Sequence, residues 1–273
     1  MDQIAVISDI HGNLTALQTV LEDIRKRGIT RIFCLGDIVA KGTHSEECVQ
    51  IVREKCEITV QGNCDDVFSS EIDLTGKSEL TVQRIRWNQD KLSDRSKEYL
   101  KGLPFAHEFY LSGRLVRIFH SSPERNDAYI GGFHPIDRLF GMFLPSEKTP
   151  SDKIADIVIY GHIHLPYMQK LYNRVLLNAG SAGNAMDCVR DPARDGDVRN
   201  TALINYLILR GEMDSLDWEK ELSYEWICLP YDYEKELSEN GDNIERKEYE
   251  EELRRGWYRD MAKVYRMAGD LNK

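Results

Sequence analysis

The sequence lacks the marks of several large classes of protein. Its six cysteines form no CxxC pair, which argues against a zinc ribbon or a thioredoxin-type redox site and favours reduced thiols. No apolar run approaches the ~18 residues that cross a membrane, and no basic segment precedes an apolar leader at the start. With 36 Lys and Arg against 46 Asp and Glu, the chain has no basic surplus either. We therefore expect a cytoplasmic protein with no membrane contact and no stable nucleic-acid binding.

Periodicity along the first sixty residues alternates between strand and helix. The run from Ile4 to Ser8 is nearly all apolar, as in a buried parallel strand. A helix is predicted from about Asn13 to Gly28, where glycine favours a left-handed cap. Strand, helix and strand patterns follow at 31–35, 45–55 and 58–61. This βαβαβ order predicts an α/β fold in which helices cover a parallel sheet.

Later segments predict a second sheet and two further regions. Helical patterns reach Pro104, and strands that form hairpins follow from His107. We assign 1–210 to one domain, in which the insert 122–150 forms either a lid that stacks on a base or a small satellite core. The ring-bearing side chains of this insert are Tyr129, Phe133, His134, Phe140 and Phe143.

The remaining stretch, 211–273, differs in composition because it holds 18 acids and 10 bases. We predict an acidic C-terminal extension that packs on the same domain or extends it, with a helix from Glu245 to Met267. Residues 1–210 hold 28 acids and 26 bases, so the net charge of −10 lies mostly in the extension.

Seven side chains able to bind a metal ion follow predicted strands. Two pairs are spaced i and i+2, so both members of each pair point the same way in an extended chain. Three single residues follow other strands. Because ligands bind where the strands of an open α/β sheet end, we expect these groups to meet. The candidates are Asp9, His11, Asp37, Asn63, His120, His162 and His164.

Six short segments resemble the ordered motifs of the calcineurin-like metallophosphoesterases. They are Ser8-Asp9-Ile10-His11-Gly12-Asn13, Leu35-Gly36-Asp37-Ile38-Val39, Gly62-Asn63-Cys64-Asp65, His120-Ser121-Ser122-Pro123, Gly161-His162-Ile163-His164 and Asn178-Ala179-Gly180-Ser181. The resemblance spans about residues 1–210, the expected catalytic domain. It is strongest to the small bacterial and archaeal phosphodiesterases whose third motif carries cysteine. It implies a four-layer α/β/β/α sandwich around a binuclear metal centre.

The resemblance also implies a role for each candidate ligand. One metal ion would be bound by Asp9, His11 and His164, the other by Asn63, His120 and His162, with Asp37 bridging both. Imidazole and carboxylate ligands favour two divalent or trivalent ions of Mn, Fe or Zn over Ca or Mg. Two ions ~3.5–4 Å apart polarise a phosphoryl oxygen and lower the pKa of a shared water, whose hydroxide attacks phosphorus in line.

Four residues are expected to serve the reaction itself, namely Asp37, Asn63, Asp65 and His120. Asp65 is not expected to bind metal. It would orient the third-motif loop or a neighbouring group, or cap the helix that follows. Asn13 has the same two interpretations, and a helix cap is favoured there.

Cys64 departs from the pattern, because many relatives have a histidine there that protonates the leaving oxygen. A thiol with a pKa near ~8.5 is a poorer acid at neutral pH. We infer a preference for leaving groups that need little protonation. The alternative is that another residue, such as His44 or His134, supplies the proton. Lys41 either contacts a substrate phosphate or is only a solvated charge.

These observations predict an enzyme that hydrolyses phosphodiester or nucleotide polyphosphate bonds, with diadenosine tetraphosphate as a candidate substrate. One alternative is a phosphomonoesterase or nucleotidase that uses the same metal ions. Another is a non-catalytic scaffold, which would be expected to have lost ligands. The expected partner is a small phosphorylated substrate, most simply a nucleotide, and a homo-oligomer is one assembly that the sequence leaves open.

Overall fold

A computed structural model describes residues 1–132, 134–186 and 203–256. The strands are β1 (Asp2–Ile7), β2 (Arg31–Cys34), β3 (Ile58–Thr59), β4 (Ala106–Leu111), β5 (Arg114–Phe119), β6 (Ile157–Tyr160), β7 (Tyr167–Leu171), β8 (Arg174–Asn178), β9 (Leu203–Gly211) and β10 (Ser223–Pro230). The helices are α1 (Leu14–Lys26), α2 (Ser45–Lys55), α3 (Asn63–Ser69), α4 (Glu79–Asp90), α5 (Asp94–Lys101), α6 (Ile136–Gly141), α7 (Tyr233–Ser238) and α8 (Arg246–Arg255). None of the helices in these ranges is long and apolar enough to cross a membrane.

The strands form two five-stranded sheets. The first sheet has the order β10-β9-β1-β2-β3, and the second has the order β4-β5-β6-β8-β7. In the first sheet β1, β2 and β3 are parallel, and β9 and β10 extend it by antiparallel pairing. In the second sheet the central strands β5, β6 and β8 are parallel, and the edge strands β4 and β7 pair antiparallel to them. The carboxyl ends of five parallel strands, β1, β2, β3, β5 and β6, therefore carry the chain toward the predicted ligands.

Successive side chains of the central strand β1 point to opposite faces of the first sheet and enter different buried clusters. Ala5 and Ile7 belong to a buried cluster with Leu17 of α1, whereas Ile4 and Val6 belong to a cluster filled from the second sheet. A third cluster covers the outer face of the second sheet. The four-layer α/β/β/α prediction is confirmed, because a helix layer, two sheets and an outer layer with α6 follow one another.

The described aromatic side chains of the insert 122–150 pack inward. Phe143 is fully buried in the outer cluster, and Tyr129 and Phe140 are partly buried against it. Phe133 lies outside the described residues. Because Phe143 has no exposed face, it cannot stack on a base as the lid hypothesis requires, and the satellite-core alternative describes these rings better.

Strand β10 pairs along its length with β9, so 223–230 complete the first sheet. Helices α7 and α8 form a small cluster of Leu237, Tyr249 and Leu253. Of the predicted helix from Glu245 to Met267, only the first part is observed, as α8. This helix ends at Arg255, because Gly256 has a left-handed φ of 61°, and residues beyond 256 lie outside the described residues. The boundary of the extension at residue 211 stays a prediction.

Arg117 joins the insert to the second sheet. Its guanidinium is fully buried and donates to Glu108 Oε1 at 2.6 Å, to Phe143 O at 3.1 Å and to Lys153 O at 2.6 Å. A buried charge is tolerated only with such complete pairing.

Replacing Arg117 by methionine should lower the free energy of unfolding by about 3 kcal/mol, because Glu108 and several carbonyls lose their partner in a buried position. Urea denaturation measures this loss. The control is Arg125→Met, which removes an exposed ion pair with Asp127 and should leave the denaturation midpoint nearly unchanged. Equal midpoints for the two variants would contradict the role of Arg117.

Candidate metal centre

All seven predicted ligands meet at the carboxyl ends of the strands. Asp9 and His11 follow β1, Asp37 follows β2, Asn63 follows β3, His120 follows β5, and His162 and His164 follow β6. Groups of potential ligand atoms lie within 4.8 Å of one another, one made by Asp9, His11 and His164 and another by Asp37, His120 and His162. The structure thus places the seven predicted ligands in one centre. Asp9, His11 and His164 lie on one side of this centre, and His120 and His162 lie on the other.

The backbone at these positions is strained. Five of the seven residues have left-handed φ angles between 51° and 66°, namely Asp9, His11, Asp37, His162 and His164. Side chains other than glycine rarely adopt this conformation, and it persists at sites where the surroundings impose it. Sequence periodicity gave no indication of this strain, because the pairs Asp9/His11 and His162/His164 were expected on extended chain.

Close backbone approach explains two glycines of the site. A Cβ atom on Gly161 would lie 1.9 Å from Ser8 Oγ and 2.5 Å from Asp9 Oδ2. A Cβ atom on Gly62 would lie 2.2 Å from both Asp37 N and Asp37 Oδ1. Any side chain at either position would push a ligand-bearing loop away from the centre.

The first group is built around Asp9. Its Oδ2 accepts from Ser8 Oγ at 2.6 Å and from His162 N at 2.9 Å, which turns Oδ1 toward the two histidines. Oδ1 lies 3.3 Å from His164 Nε2 and 3.8 Å from His11 Nε2. The two Nε2 atoms are 3.1 Å apart. Three ligand atoms therefore face a common point.

Asp37 connects this group with the second one. Its Oδ1 accepts from Cys64 N at 2.8 Å, so Oδ2 points into the centre. This single oxygen lies 3.7 Å from His11 Nε2 and 3.5 Å from His120 Nε2. This oxygen therefore lies between the histidines of the two groups.

Asn63 and His162 complete the second group around His120. His120 Nε2 lies 3.1 Å from Asn63 Oδ1 and 3.3 Å from His162 Nδ1. Asn63 Oδ1 faces His120 Nε2 in this orientation, but hydrogen bonding alone favours the rotated amide, which donates to His162 Nδ1 and His120 Nε2 and accepts from Cys64 N. An inward oxygen is the orientation that a cation requires.

Carbonyl groups fix the orientation of three imidazoles. The Nδ1 atoms of His11, His120 and His164 lie within hydrogen-bond distance of the backbone oxygens of Val39, Leu35 and Asn184, respectively. A histidine that donates from Nδ1 presents its other nitrogen as a metal ligand. The arrangement therefore directs three Nε2 atoms into the centre.

The residues present fit transition-metal ions. Asp9 Oδ1 is buried and has no hydrogen-bond partner among the described residues, and lone pairs of neighbouring imidazoles surround it. Buried acceptor atoms that face one another repel unless a positive charge lies between them. Nitrogen and oxygen donors in this number suit Mn, Fe or Zn.

Asp65 supports the loop that carries Asp37, in line with its expected role. Its fully buried carboxylate accepts from Asp37 N at 2.8 Å, Ile38 N at 2.9 Å and Gly62 N at 3.0 Å. The last bond also caps α3. Burial and the charge of Asp37 raise the pKa of Asp65 to about 7, although these N–H donors favour its anion.

Asn13 is the N-cap of α1, as predicted, because its Oδ1 accepts from Ala16 N at 3.0 Å.

Sequence reasoning missed two residues that support the position of His164. Asn184 accepts from His164 Nδ1, and its own Nδ2 donates to Glu252 Oε2 at 2.8 Å. Neither Asn184 nor Glu252 belongs to a motif, so the sequence offered no signal for them.

Cys64 places its thiol at the centre. Its sulfur lies within 4.8 Å of ligand atoms of His11 and Asp37. Burial, followed by the charges of Asp37 and Asp65, raises the pKa of the thiol well above its ordinary value. The thiol therefore keeps its proton at neutral pH, as expected of a weak acid.

The protonation of the histidines is uneven. Burial and the nearby charge of Lys41 lower the pKa of His11 to about 3, and burial with the charge of His120 lowers the pKa of His162 to about 4. Burial also opposes the charged form of His120, but the carboxylates of Asp37 and Asp9 outweigh it and raise its pKa to about 9. Despite burial, the histidines hold the pKa values of Asp9 and Asp37 well below their usual range.

Metal binding should therefore release a proton from His120 at neutral pH, because an imidazole binds metal only in its neutral form. His120 is protonated below its raised pKa of about 9, so metal affinity should rise with pH up to that point. Calorimetric titration with Mn²⁺ in buffers of different ionisation enthalpy counts the protons. His120→Gln should release about one proton fewer than the wild type.

The control for this experiment is His107→Gln. His107 lies on β4 and is half-buried outside the centre, so its variant should release as many protons as the wild type. Equal proton release from His120→Gln and the wild type would show that His120 is already neutral before metal binds.

Comparison with known proteins identifies the family. The model of the calcineurin-like phosphoesterase superfamily domain matches residues 3–194. An uncharacterised protein of Methanocaldococcus jannaschii is 33% identical over 177 residues, which cover 65% of this chain and 68% of that protein. A metallophosphoesterase from Sphaerobacter thermophilus has a similar crystal structure, with a TM-score of 0.69 and 22% identity over 94% of this chain and 99% of that one.

A hypothetical protein from Pyrococcus horikoshii is also similar, with a TM-score of 0.72 and 17% identity over 94% of this chain and all of that one (100%). At such identities the two crystal structures support the fold, while the domain match and the archaeal relative establish the family. The chain belongs to the calcineurin-like phosphoesterase superfamily and is a metal-dependent phosphoesterase.

Proposed function

We propose that this protein uses two metal ions to hydrolyse phosphodiester or nucleotide polyphosphate bonds. The observation that carries the proposal is the position of Asp37 Oδ2, which lies 3.7 Å from His11 Nε2 and 3.5 Å from His120 Nε2. One oxygen between two sets of ligands favours two ions over one. We assign Asp9, His11 and His164 to one ion and Asn63, His120 and His162 to the other.

The chain's own residues hold the centre in place and govern its charge. When bound, two such ions polarise a phosphoryl oxygen and lower the pKa of water. Asp37 fixes the distance between the two sets of ligands, and Asp65 holds the Asp37 backbone. Asn63 and His120 belong to the second set of ligands. There His120 would lose its proton when it binds metal. Burial of these groups in a site of low polarity strengthens each electrostatic contact.

The Cys64 thiol favours particular substrates. A thiol, whose ordinary pKa is near ~8.5, is a weak general acid at neutral pH, so we propose that leaving groups which need little protonation react best. Phosphate leaving from an anhydride meets this condition, and a dinucleoside tetraphosphate is the suggested class.

The alternative of a phosphomonoesterase or nucleotidase would use the same metal centre. A non-catalytic scaffold fits poorly, because none of the seven expected ligands has been replaced.

Asp37→Asn should weaken binding of both metal ions and lower kcat/KM by about 100-fold or more, because an amide is a poor bridging ligand. Activity is measured on the Mn²⁺-loaded protein with an aryl diester, an aryl monoester, AMP, ATP and diadenosine tetraphosphate. Asp73→Asn, in an exposed loop, is the matched control and should retain wild-type activity. Full activity of Asp37→Asn with every substrate would refute the two-metal proposal.

Substrate preference tests the role of Cys64. The wild type should cleave the aryl diester and the polyphosphates faster than an alkyl monoester, whose alkoxide needs a proton. Cys64→His should narrow this gap by supplying a stronger acid, while Cys64→Ser should not. The interpretation of Cys64 fails if the wild type prefers the alkyl monoester.

A further inference from the structure

Lys41 lies in the loop that follows the bridging residue Asp37. It is only 8% exposed and has a left-handed φ of 62°. The next residue, Gly42, donates its N–H to His11 O at 2.9 Å, so this loop runs beside the backbone of a metal ligand. The ammonium group is close enough to the centre that its charge helps to depress the pKa of His11. Lys41 is therefore not the solvated lysine that was one of its two expected states.

The C-terminal extension holds Lys41 at both of its ends. Asn243, which precedes α8, donates from Nδ2 to Lys41 O at 2.6 Å. Glu252 of α8 places Oε2 at 3.1 Å from Lys41 Nζ. Glu252 is itself only 2% exposed. A carboxylate buried this deeply must be compensated by a charge or by hydrogen bonds.

The same carboxylate oxygen also reaches the other side of the centre. Asn184 Nδ2 donates to Glu252 Oε2 at 2.8 Å, and Asn184 O accepts from His164 Nδ1. Ser181 Oγ accepts from Asn184 N at 2.8 Å and donates to Asp9 O at 2.7 Å. One oxygen of the extension thus connects the Lys41 loop with the segment that orients His164 and Asp9.

We propose that Glu252 is a positioning residue of the metal centre, which neutralises Lys41 beside the bound cations and supports His164 through Asn184. The proposal rests on the proposed two-metal function. Two divalent ions and a buried ammonium group repel one another, and the repulsion is strong where the medium is of low polarity. The Glu252 carboxylate offsets this repulsion without occupying a coordination position. The acidic extension then contributes to metal affinity as well as to the fold.

Glu252→Gln separates charge from hydrogen bonding, because the amide oxygen can still accept from Asn184. We expect this variant to bind Mn²⁺ about 10-fold to 100-fold more weakly in a chelator competition assay. With saturating Mn²⁺, kcat on the aryl diester should return to within about twofold of the wild-type value, since the reacting groups are intact. Glu248→Gln, an exposed position on the same helix, is the control and should bind Mn²⁺ as the wild type does.

The double variant Lys41→Met with Glu252→Gln tests the mechanism. It removes both charges of this pair, so neither Lys41 nor Glu252 keeps its charge after losing the other, which also guards against loss of folding. If Glu252 acts by neutralising Lys41, the double variant should recover most of the lost Mn²⁺ affinity. Absence of recovery, or Mn²⁺ affinity in Glu252→Gln within about twofold of that of Glu248→Gln, would overturn the proposal.

The outcome also distinguishes this inference from the proposed function. If the wild type binds Mn²⁺ and cleaves the diester while Glu252→Gln behaves like Glu248→Gln, only the role of Glu252 is wrong. If the wild type neither binds Mn²⁺ nor cleaves any of the substrates, the two-metal function fails, and the role of Glu252 is overturned with it.

Discussion

Positive charge at the strand ends is the requirement on which the rest of the structure depends. His11 Nε2 and His164 Nε2 lie 3.1 Å apart, and Asp9 Oδ1 lies 3.3 Å from the latter. Such acceptor atoms repel one another unless a cation or proton lies between them. Despite burial, the carboxylates of Asp37 and Asp9 raise the pKa of His120 to about 9, so a proton on His120 supplies this charge before metal binds. The hydrogen bonds to Asp9 and Asp65 and the close backbone packing at Gly62 and Gly161 keep these atoms near one another.

The acidity of the chain is compatible with phosphate chemistry for the same reason. Most of the net charge of −10 belongs to 211–273, and the described part of that segment uses several acids internally. Glu236 of α7 is fully buried and accepts from Thr15 N at 3.3 Å near the start of α1, and Glu252 pairs with Lys41. At the centre itself, two bound divalent cations would outweigh Asp9 and Asp37 and reverse the local field.

Local patterns predicted the ligands but not what holds them. Asp9 and Asp37 follow apolar strands directly, so strand order alone brings them together. Asn184 and Glu252 contact each other across 68 positions, and no periodicity marks such a pair. The rings of the insert were ambiguous because an aromatic residue suits a core as well as a lid, and burial of Phe143 decided for the core. The left-handed angles at five ligands reflect tertiary contacts, which short-range pattern cannot reveal.

Strain and metal affinity together indicate that protein contacts share with bound metal the task of holding the centre in shape. Each left-handed residue costs on the order of 1–3 kcal/mol, whereas an ion present at 100 times its Kd contributes about 2.7 kcal/mol. Two such ions would contribute about 5.4 kcal/mol, which covers only the lower end of the total cost of about 5–15 kcal/mol for five such residues. Fixed contacts must supply the remainder, including the bonds from Ser8 and His162 N to Asp9 and from Asp37 N to Asp65. The bond from His162 N to Asp9 links the two sheets, so packing of the sheets helps to maintain the geometry of the predicted ligands.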